Sequence, residues 1–388
     1  MNLEIPNYVK VLMNELNFNG FTSYVVGGAV RDTILNREVH DYDLTTNAKP
    51  DDMVKVFKSF ITIPTGLKHG TLTVLSNNHQ IEVTTYRVDK EYEDHRHPTE
   101  VVFTDNIKED IERRDFTING LAYNDKEGLL DFFNGIDDIQ NKLIRCIGKP
   151  EERFEEDALR ILRALRFSVQ LGFSIEEETR KAIFSKQDLL SFISKERIRD
   201  ELMGTLKYPC SSVFKDYLEI FKSALFFFPK LSDKTINLLD NEGNEYIRLA
   251  MLLDEASLDQ AKDFLEELKL SKHEMNLILS YLKYKDTQFN SRIDLKHFLS
   301  DFHYPLDDYL NYRKSRDERF LIYKVVNFLD EIKDRADIYL LKDLAINGDD
   351  VVKLGYKGKE ISEALNKALN LVIEEKVENK KEDLLKAI

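Results

Sequence analysis

The stretch YVVGGAVRDTILNREVHDYDLTT, residues 24–46, decides the fold of the N-terminal part of the chain. Its first three residues are β-formers that run into Gly27 and Gly28, where a backbone without Cβ can approach a ligand closely and direct its N–H groups at an anion. A helix predicted from about Ala29 presents its positive end to the same point, and Arg31 adds a full charge there. A triphosphate would suit such a turn.

Two acidic residues stand near the end of this stretch. Asp41 and Asp43 are two positions apart on a predicted strand, so both carboxylates should leave the same face of it. Two hard oxygen ligands at that spacing can share a pair of Mg²⁺ ions. Each feature alone has an ordinary structural interpretation, because a chain with 70 Asp and Glu contains many acid-x-acid triplets and a Gly-Gly pair is often only a tight turn. The ordered combination is what indicates a nucleotide site with a metal.

Composition narrows the possible classes of protein. A chain of 388 residues with 42% hydrophobic residues indicates a folded protein of two to four domains. The first residues lack a basic and then apolar leader, and no run approaches 18 apolar residues, so we expect neither export nor membrane insertion. The two cysteines, Cys146 and Cys210, form no metal-binding or disulfide pattern, and such lone thiols are typical of the cytoplasm.

Charge and proline content add two further expectations. The formal net charge of −14 argues against a non-specific nucleic-acid binder, so any nucleic-acid partner must be held by local basic patches. Eight prolines in 388 residues are few, which predicts a protein of low thermal stability. An AT-rich genome would explain the same composition.

The pattern of apolar residues predicts an α+β protein. Up to about Asn141, short strands alternate with turns and a few helices, which is typical of a small mixed sheet. From Pro150 onward, apolar residues recur at helical spacing, so the remainder should be all-helical. Residues 86–114 are dense in charge and predict a long exposed loop with a short strand near Val101.

A second motif, RRDFTINGLAYN, covers residues 113–124. Asp115 can cap a helix that begins at Phe116 or Thr117, with Arg113 and Arg114 just outside the cap, where a phosphate would lie. An ordinary cap with two surface arginines is the alternative.

The third motif, EEDALRILRALRF, covers residues 155–167. On one helix, Asp157 and Arg160 would share a face, and Arg163 and Arg166 would continue the row at three-residue steps. Such a row can be a salt-bridged surface. An Asp acceptor beside an Arg donor also matches the amino group and ring nitrogen that cytosine and adenine both offer. Uracil and guanine would place an acceptor against the Asp acceptor, and guanine also a donor against the Arg donor, so a buried polar group would be left without a hydrogen bond.

With GGAVRD, DYD, RRDFTIN and EDALRILRALRF in this order, the chain resembles the bacterial class II tRNA nucleotidyltransferases, the CCA-adding enzymes, and their poly(A) polymerase relatives. The segments KHGTLTV (68–74), DFFNGIDD (131–138), ERIRDEL (196–202) and LAINGDDVVKLGYKGKEISEAL (344–365) extend the resemblance over nearly the whole length. The resemblance implies a polymerase-β-like catalytic head at 1–141, a helical neck with the base-reading helix at 142–207, a helical body at 208–315, and a helical, tRNA-binding tail at 316–388.

The resemblance also implies two sets of site residues. The catalytic and metal-binding set is Asp41 and Asp43. The nucleotide-binding set is Gly28, Arg31, Arg114, Asp157, Arg160, Arg163 and Arg166. Gly28 and Arg31 would hold the triphosphate, and Arg114 would meet the nucleotide. Asp157 and Arg160 would read the base. Arg163 and Arg166 would support the nucleotide and the base-reading helix. Residues 196–198 would brace that helix from behind, and Glu82 is a candidate third carboxylate by strand position.

The implied reaction is in-line attack by the tRNA 3′-hydroxyl on the α-phosphate of CTP or ATP, with pyrophosphate leaving. One Mg²⁺ would activate the hydroxyl and the other would steady the triphosphate. The alternatives are a CC-adding enzyme, a poly(A) polymerase and a catalytically inactive RNA-binding protein. CC-adding members have a shortened loop between the head motifs, whereas residues 91–98 are present here, which favours CCA addition. Poly(A) polymerases tend to carry basic extensions, whereas the C-terminus here is short and charged. An inactive protein would lack Asp41 or Asp43, and both are present.

Overall fold

The computed structural model describes residues 3–92, 98–225 and 227–388, with the backbone alone at 89–92 and 98–101. The chain divides into two compact units, one comprising Met1–Phe228 with Glu267–Lys269 and the other comprising Pro229–Glu266 with Leu270–Ile388. The division into head, neck, body and tail stays a prediction.

A seven-stranded sheet forms the centre of the first unit, in the spatial order β3-β4-β5-β2-β1-β8-β9. Strand β2 is antiparallel to β1 and parallel to β5. A separate hairpin pairs β6 with β7, and a short parallel pair joins β10 to β11. The strands of the described residues are β1 Ser23–Val26, β2 Asp43–Thr46, β3 Ile61–Ile63, β4 Thr71–Ser76, β5 His79–Thr85, β6 Arg87–Tyr92, β7 Pro98–Phe103, β8 Leu121–Asn124, β9 Gly128–Asp131, β10 Leu143–Ile144 and β11 Ser174–Ile175.

Helices cover the sheet and complete the first unit. Proline stands at the first position of α3 and of α6, where the missing N–H costs nothing. The helices are α1 Asn7–Phe18, α2 Gly28–Ile34, α3 Pro50–Val56, α4 Ile107–Glu112, α5 Gly135–Gln140, α6 Pro150–Glu156, α7 Leu159–Leu171, α8 Glu177–Ser185, α9 Lys195–Leu206, α10 Ser211–Asp216 and α11 Leu218–Ala224, with 3₁₀ turns at Leu67–His69, Thr117–Asn119 and Gln187–Phe192.

From Pro229 onward, the described elements are helical, and the sequence-based prediction of an α+β chain with a helical C-terminal part is confirmed. Within the part predicted to be all-helical, which begins at Pro150, the two-residue strand β11 is an exception. Capping boxes at Ser271, Ser291 and Asn347 begin three of these helices. They are α12 Asp233–Leu238, α13 Glu245–Leu252, α14 Leu258–Glu267, α15 Lys272–Lys283, α16 Arg292–Asp301, α17 Leu306–Arg316, α18 Ile322–Asp334, α19 Gly348–Lys353, α20 Lys359–Ile373 and α21 Lys381–Ala387, with a 3₁₀ turn at Leu341–Asp343. No helix in the described ranges is long and apolar enough to cross a membrane.

The charged segment 86–114 differs from its prediction. Instead of a long loop with one short strand, it contains two strands paired from Arg87↔Phe103 to Tyr92↔Pro98, followed by helix α4. A two-stranded ribbon outside the main sheet need not bury one face, so its sequence lacks the apolar alternation that reveals a strand. The hairpin begins where β5 ends, next to the centre of the main sheet.

Candidate active site

The glycine turn after β1 has the shape that its sequence predicts. Gly27 has φ 70° and ψ −131°, a backbone conformation that disfavours any residue with a side chain, and α2 begins at Gly28. A Cβ added at Gly27 would lie 3.5 Å from Nη1 of Arg114, and one added at Gly28 would lie 3.5 Å from Nη2 of Arg31. The two glycines therefore bring bare backbone and two guanidinium groups together.

Arg31 is almost fully buried and firmly held. Its Nη1 donates to Oδ1 of Asn119 at 2.6 Å, while Nε and Nη2 donate to the carboxylate of Asp32, each at 2.9 Å. Three hydrogen bonds to charged or amide groups leave this side chain little rotamer freedom. Sequence reasoning missed Asn119, although it closes the RRDFTIN motif.

Asp43 is the first residue of β2 and lies directly opposite Glu82 on the parallel strand β5. Asp41 lies before the strand, so the prediction that one strand carries both aspartates was wrong. Water reaches Asp43, yet the surrounding protein displaces part of its hydration; this loss, and then the charge of Glu82, raises the pKa of Asp43, with Asp41 acting in the same direction and Arg114 opposing it. Asp43 is thus close enough to two other carboxylates to be repelled by both.

These carboxylates do not form a ready-made metal cage. In the part of the chain that the structure describes, no group of three His, Cys, Asp or Glu side chains is arranged to hold a metal ion. Such a cage is not required for a cation that keeps waters and substrate phosphates among its ligands, as Mg²⁺ does. The repulsion of Asp43 by Glu82 and Asp41 is the property that a divalent cation would relieve.

Asp157 lies in a break between two helices, because its φ of −144° ends α6 and α7 begins at Leu159. The prediction of one continuous helix through Asp157 and Arg160 was therefore wrong. The Asp157 carboxylate accepts from the backbone N–H of Leu159 at 3.1 Å and from both Nη atoms of Arg197, at 3.1 and 2.8 Å. Arg197 on α9 thus fixes the orientation of the acid, which agrees with the predicted bracing role of residues 196–198.

Arg160 is buried and held by three acceptors. Its Nη1 donates to Oε2 of Glu156 at 2.8 Å and to the carbonyl of Arg153 at 3.1 Å, and its Nη2 donates to the carbonyl of Arg113 at 2.8 Å. The last bond joins the α6–α7 region to the RRDFTIN motif.

Arg163 and Arg166 continue the row along α7. Arg163 donates through Nε and Nη2 to Asp115, at 2.8 and 2.7 Å, and Arg166 donates through Nε to Glu201 at 2.6 Å. The row is therefore not the solvated, salt-bridged surface that sequence alone allowed. Its arginines are fixed by acids on neighbouring elements, and Glu201 is one that sequence reasoning missed.

The ring of Phe167 organises three of these arginines. The guanidinium carbons of Arg31, Arg163 and Arg166 lie 5.2, 5.2 and 4.4 Å from its centroid. Such cation–π contacts stabilise neighbouring positive charges that would otherwise repel one another. Phe116 meets the same ring edge-on with centroids 5.9 Å apart, which fixes the plane of the ring.

Asp115 does not act as the helix cap that the sequence predicts. Only a 3₁₀ turn, Thr117–Asn119, follows it, and β8 comes next. Its carboxylate binds Arg163, the side-chain amide of Asn119 and its own neighbour's N–H at Phe116. Burial alone would raise the pKa of Asp115, but the charge and hydrogen bonds of Arg163 outweigh burial and lower it to about 2.

These elements surround one cavity of about 410 Å³. It brings together eight of the nine predicted site residues, and the ninth, Asp41, is not in its wall. Six arginines and three aspartates line it, so it is a local positive site in a chain of net charge −14. The lining residues are Gly27, Gly28, Arg31, Asp43, Arg113, Arg114, Asp115, Asn119, Asp157, Arg160, Arg163, Arg166, Phe167 and Gln170.

Comparison with known protein families divides the chain into three matched segments. Residues 23–145 match the poly A polymerase head domain, residues 172–234 the probable RNA and SrmB-binding site of polymerase A, and residues 242–388 the putative domain 2 of tRNA nucleotidyltransferase. Over 401 residues the chain is 35% identical to the CCA-adding enzyme of Staphylococcus haemolyticus. This alignment covers 100% of the present chain and 98% of the Staphylococcus haemolyticus enzyme. The chain belongs to the CCA-adding enzyme family.

Other CCA-adding enzymes are similar over the same extent. The CCA-adding enzyme of Staphylococcus epidermidis is 34% identical over 397 residues, which cover 99% of this chain and 98% of that one. The crystal structure of the Bacillus stearothermophilus CCA-adding enzyme in complex with CTP has 28% sequence identity and a TM-score of 0.83, and the match covers 98% of each chain. The sequence-based predictions of family, fold class and enzyme class are confirmed.

Proposed function

We propose that this chain adds C, C and A to the 3′ end of tRNA, using CTP and ATP and releasing pyrophosphate. The observation that carries the proposal is the single cavity in which an arginine-rich wall beside Gly27 and Gly28 meets Asp43 on one side and the Asp157–Arg160 pair on another. Membership of the CCA-adding enzyme family supports it, and the Bacillus stearothermophilus relative was crystallised with CTP.

Arg31 and Arg114 hold the triphosphate in this proposal. Both guanidinium groups lie against the bare glycine turn, and Arg31 is held in one rotamer by Asn119 and Asp32. Preorganised guanidinium groups bind phosphate oxygens without paying rotamer entropy at the moment of binding.

Asp157 and Arg160 select the base. An ionised carboxylate has about four acceptor directions, and Asp157 uses both of those on Oδ1, for Arg197 and the N–H of Leu159, and one on Oδ2, for Arg197. The remaining direction on Oδ2 can accept the amino group of cytosine or adenine. Uracil and guanine place a carbonyl there, and an ionised acid facing a carbonyl is unfavourable. This pair therefore separates cytosine and adenine from uracil and guanine without a template.

Asp43 and Asp41 bind Mg²⁺, with Glu82 as a candidate third carboxylate. Their mutual repulsion and their hard oxygen donors fit a divalent cation. When bound, Mg²⁺ would neutralise triphosphate charge and lower the pKa of the attacking 3′-hydroxyl. In this proposal the α-phosphate and the RNA terminus meet beside Asp43, and the position of Asp43 in the cavity wall supports this.

The remaining parts of the proposal concern the whole chain. We retain the division into a head at 1–141, a neck at 142–207, a body at 208–315 and a tail at 316–388 that binds tRNA. The cytoplasm is the location we infer, on the basis of two lone cysteines and a tRNA substrate.

One assay tests the function directly. Three tRNA transcripts, ending at the discriminator base, after C and after CC, are incubated with each labelled nucleoside triphosphate in turn. We expect C on the first two, A on the third and neither U nor G on any. A halt at CC would identify a CC-adding enzyme, repeated A addition to any RNA a poly(A) polymerase, and no incorporation an inactive RNA-binding protein.

A further inference from the structure

Asp110 on helix α4 is completely buried and is not in the cavity wall. Its Oδ1 accepts from Nε and Nη2 of Arg113, at 3.0 and 2.8 Å, and from the backbone N–H of Arg87 at 3.2 Å. Its Oδ2 accepts from the hydroxyl of Thr45 at 3.1 Å and from Nη2 of Arg114 at 3.3 Å. The carboxylate is thus shared among four partners that belong to three different parts of the molecule.

Each partner occupies a distinct position relative to the cavity. Thr45 is two residues after Asp43 on β2 and therefore leaves the same face of that strand. Arg87 is the first residue of β6, at the base of the β6–β7 hairpin. Arg113 and Arg114 line the cavity itself. Asp110 consequently joins the base of the hairpin, the strand of Asp43 and the nucleotide-facing arginines.

The connection continues to the base-reading pair. The carbonyl of Arg113 accepts from Nη2 of Arg160 at 2.8 Å. Asp110 bonds the side chain of Arg113, so consecutive contacts lead from the backbone of Arg87 through Asp110 and Arg113 to Arg160. Within the described residues, this is a short, direct physical link between the hairpin and the base-reading side of the cavity.

We propose that Asp110 is a positioning residue that couples the β6–β7 hairpin to the nucleotide cavity. It holds Arg113 and Arg114 in one arrangement, and through Arg113 it fixes the position of Arg160, only while the first residue of the hairpin stays in place. The proposal rests on the proposed function, because it assigns the hairpin a part in holding the base-reading side of the cavity, which selects C and A over U and G. A movement of the hairpin base would change the hydrogen bonds of Asp110 first and the arginines next.

Electrostatics supports this assignment. Burial would raise the pKa of Asp110, but the charges of Arg113 and Arg114 and the hydrogen bond from Arg87 outweigh burial and lower it. The acid is therefore ionised at neutral pH, and its charge is what holds two arginines at once. A neutral amide of the same shape would keep the packing and lose that hold.

Asp138 offers a matched control in the same unit. It is also buried, accepts from the hydroxyl of Thr117 at 2.7 Å and from Nε of Arg145 at 3.1 Å, and neither partner lines the cavity. Asp138→Asn removes a buried, arginine-paired charge of the same kind without touching the nucleotide-facing side chains. Any effect that Asp110→Asn has beyond this control reports on the cavity.

The experiment measures kcat/KM for all four nucleotides on transcripts awaiting C and awaiting A, together with the Tm of each variant. For Asp110→Asn we expect about a tenfold loss in the preference for C over U and for A over G, the effect of releasing charge-assisted hydrogen bonds. Asp138→Asn should lower Tm by a similar amount and leave both preferences within about twofold. Thr45→Val, which removes one hydroxyl contact of Asp110 together with a bond to the Thr84 carbonyl, should shift the preferences by about two- to threefold in the same direction as Asp110→Asn.

Unchanged preferences in Asp110→Asn, with activity falling only in proportion to Tm, would overturn the proposal. If Asp110→Asn does not fold, wild-type preferences in Thr45→Val would overturn it instead. The wild-type chain is assayed in the same plates, so a failure to add C and A at all would count against the function and not against the role of Asp110.

Discussion

Replacing Asp157 by alanine should relax base choice far more than it weakens nucleotide binding. In the native site a mismatched base places a carbonyl against this carboxylate, which costs about 1–3 kcal/mol. That range corresponds to about a 5- to 150-fold preference for cytosine over uracil or adenine over guanine from this contact. Asp157→Ala should therefore lower the preference by that factor, while KM for CTP changes by less than about threefold because the phosphates bind Arg31 and Arg114.

Arg197 provides a second test of the same reasoning. It holds both oxygens of Asp157 from helix α9 and is not in the cavity wall. Arg197→Met should therefore lower base preference in the same direction as Asp157→Ala, by about threefold to tenfold, since the acid remains but loses its fixed orientation. If Arg197→Met lost activity but kept its base preference, Arg197 would contribute to stability and not to base selection.

The assay is single-nucleotide incorporation on a transcript awaiting C and on one awaiting A, with kcat/KM measured for all four nucleotides. Glu155→Ala is the matched control, because this neighbouring acid is half exposed, pairs with Lys186 and is not in the cavity wall, so base preference should not change. Full wild-type discrimination in Asp157→Ala would refute the assignment, and the acid would then be a structural partner of Arg197 alone.

Four further predictions follow from the site and the composition. Asp41→Ala or Asp43→Ala should reduce addition by more than tenfold and leave tRNA affinity within a few-fold, measured by incorporation and by filter binding; a tenth of wild-type turnover in either variant would contradict metal binding by the pair. Removing residues 91–98, of which 93–97 lie outside the described residues, should preserve C addition and suppress the final A, and equal loss of both would make the segment a general substrate contact. The pKa of Asp115 is lowered in the folded protein, so its ionised form stabilises the fold above about pH 4, and this stabilisation disappears as pH falls through about 2. In urea unfolding, the free energy of unfolding of Asp115→Asn should be about 2 kcal/mol lower than that of the wild type at pH 6, and the difference should narrow toward pH 2. A difference that does not change with pH would disprove the linkage. The low proline content predicts a main calorimetric transition below about 60 °C, with the helical C-terminal part melting no higher than the head, and a higher transition would indicate that the composition reports codon bias.

The sequence predicted the glycine turn, the strands of the main sheet except β8 and the helical C-terminal part, because these depend on local propensity and periodicity. It placed eight residues that the fold brings to one cavity. The helix break at Asp157 was not predictable, since the break is stabilised by Arg197, 40 positions away. Asp110 was missed for the same reason: a lone acid in a charged helix has no local signature, and only the fold shows that it is buried and bonds Thr45 and the Arg87 backbone from other segments.

At Thr117–Asn119 the sequence predicted a helix, and the structure has only a 3₁₀ turn. An aspartate before a helical pattern normally caps it, yet Asp115 binds Arg163 on α7 and the chain turns into β8 after three residues. A strong ion pair to a distant element outweighed the local preference. Tertiary contacts thus override sequence rules at the residues that line the cavity.

Gly204 does not line the cavity, yet the position of Arg166 in the cavity wall depends on it. A Cβ there would lie 2.5 Å from Cδ of Arg166, so α9 approaches α7 closely only because this position has no side chain. Arg197 precedes Gly204 by two helical turns and lies on the same face. A larger residue at 204 would force the Arg166 side chain or α9 to shift, and an outward shift of α9 would carry Arg197 away from Asp157. Over evolutionary time, the fidelity of base choice is therefore exposed to drift at a position behind the pocket, and an alignment of pocket residues alone would not reveal it.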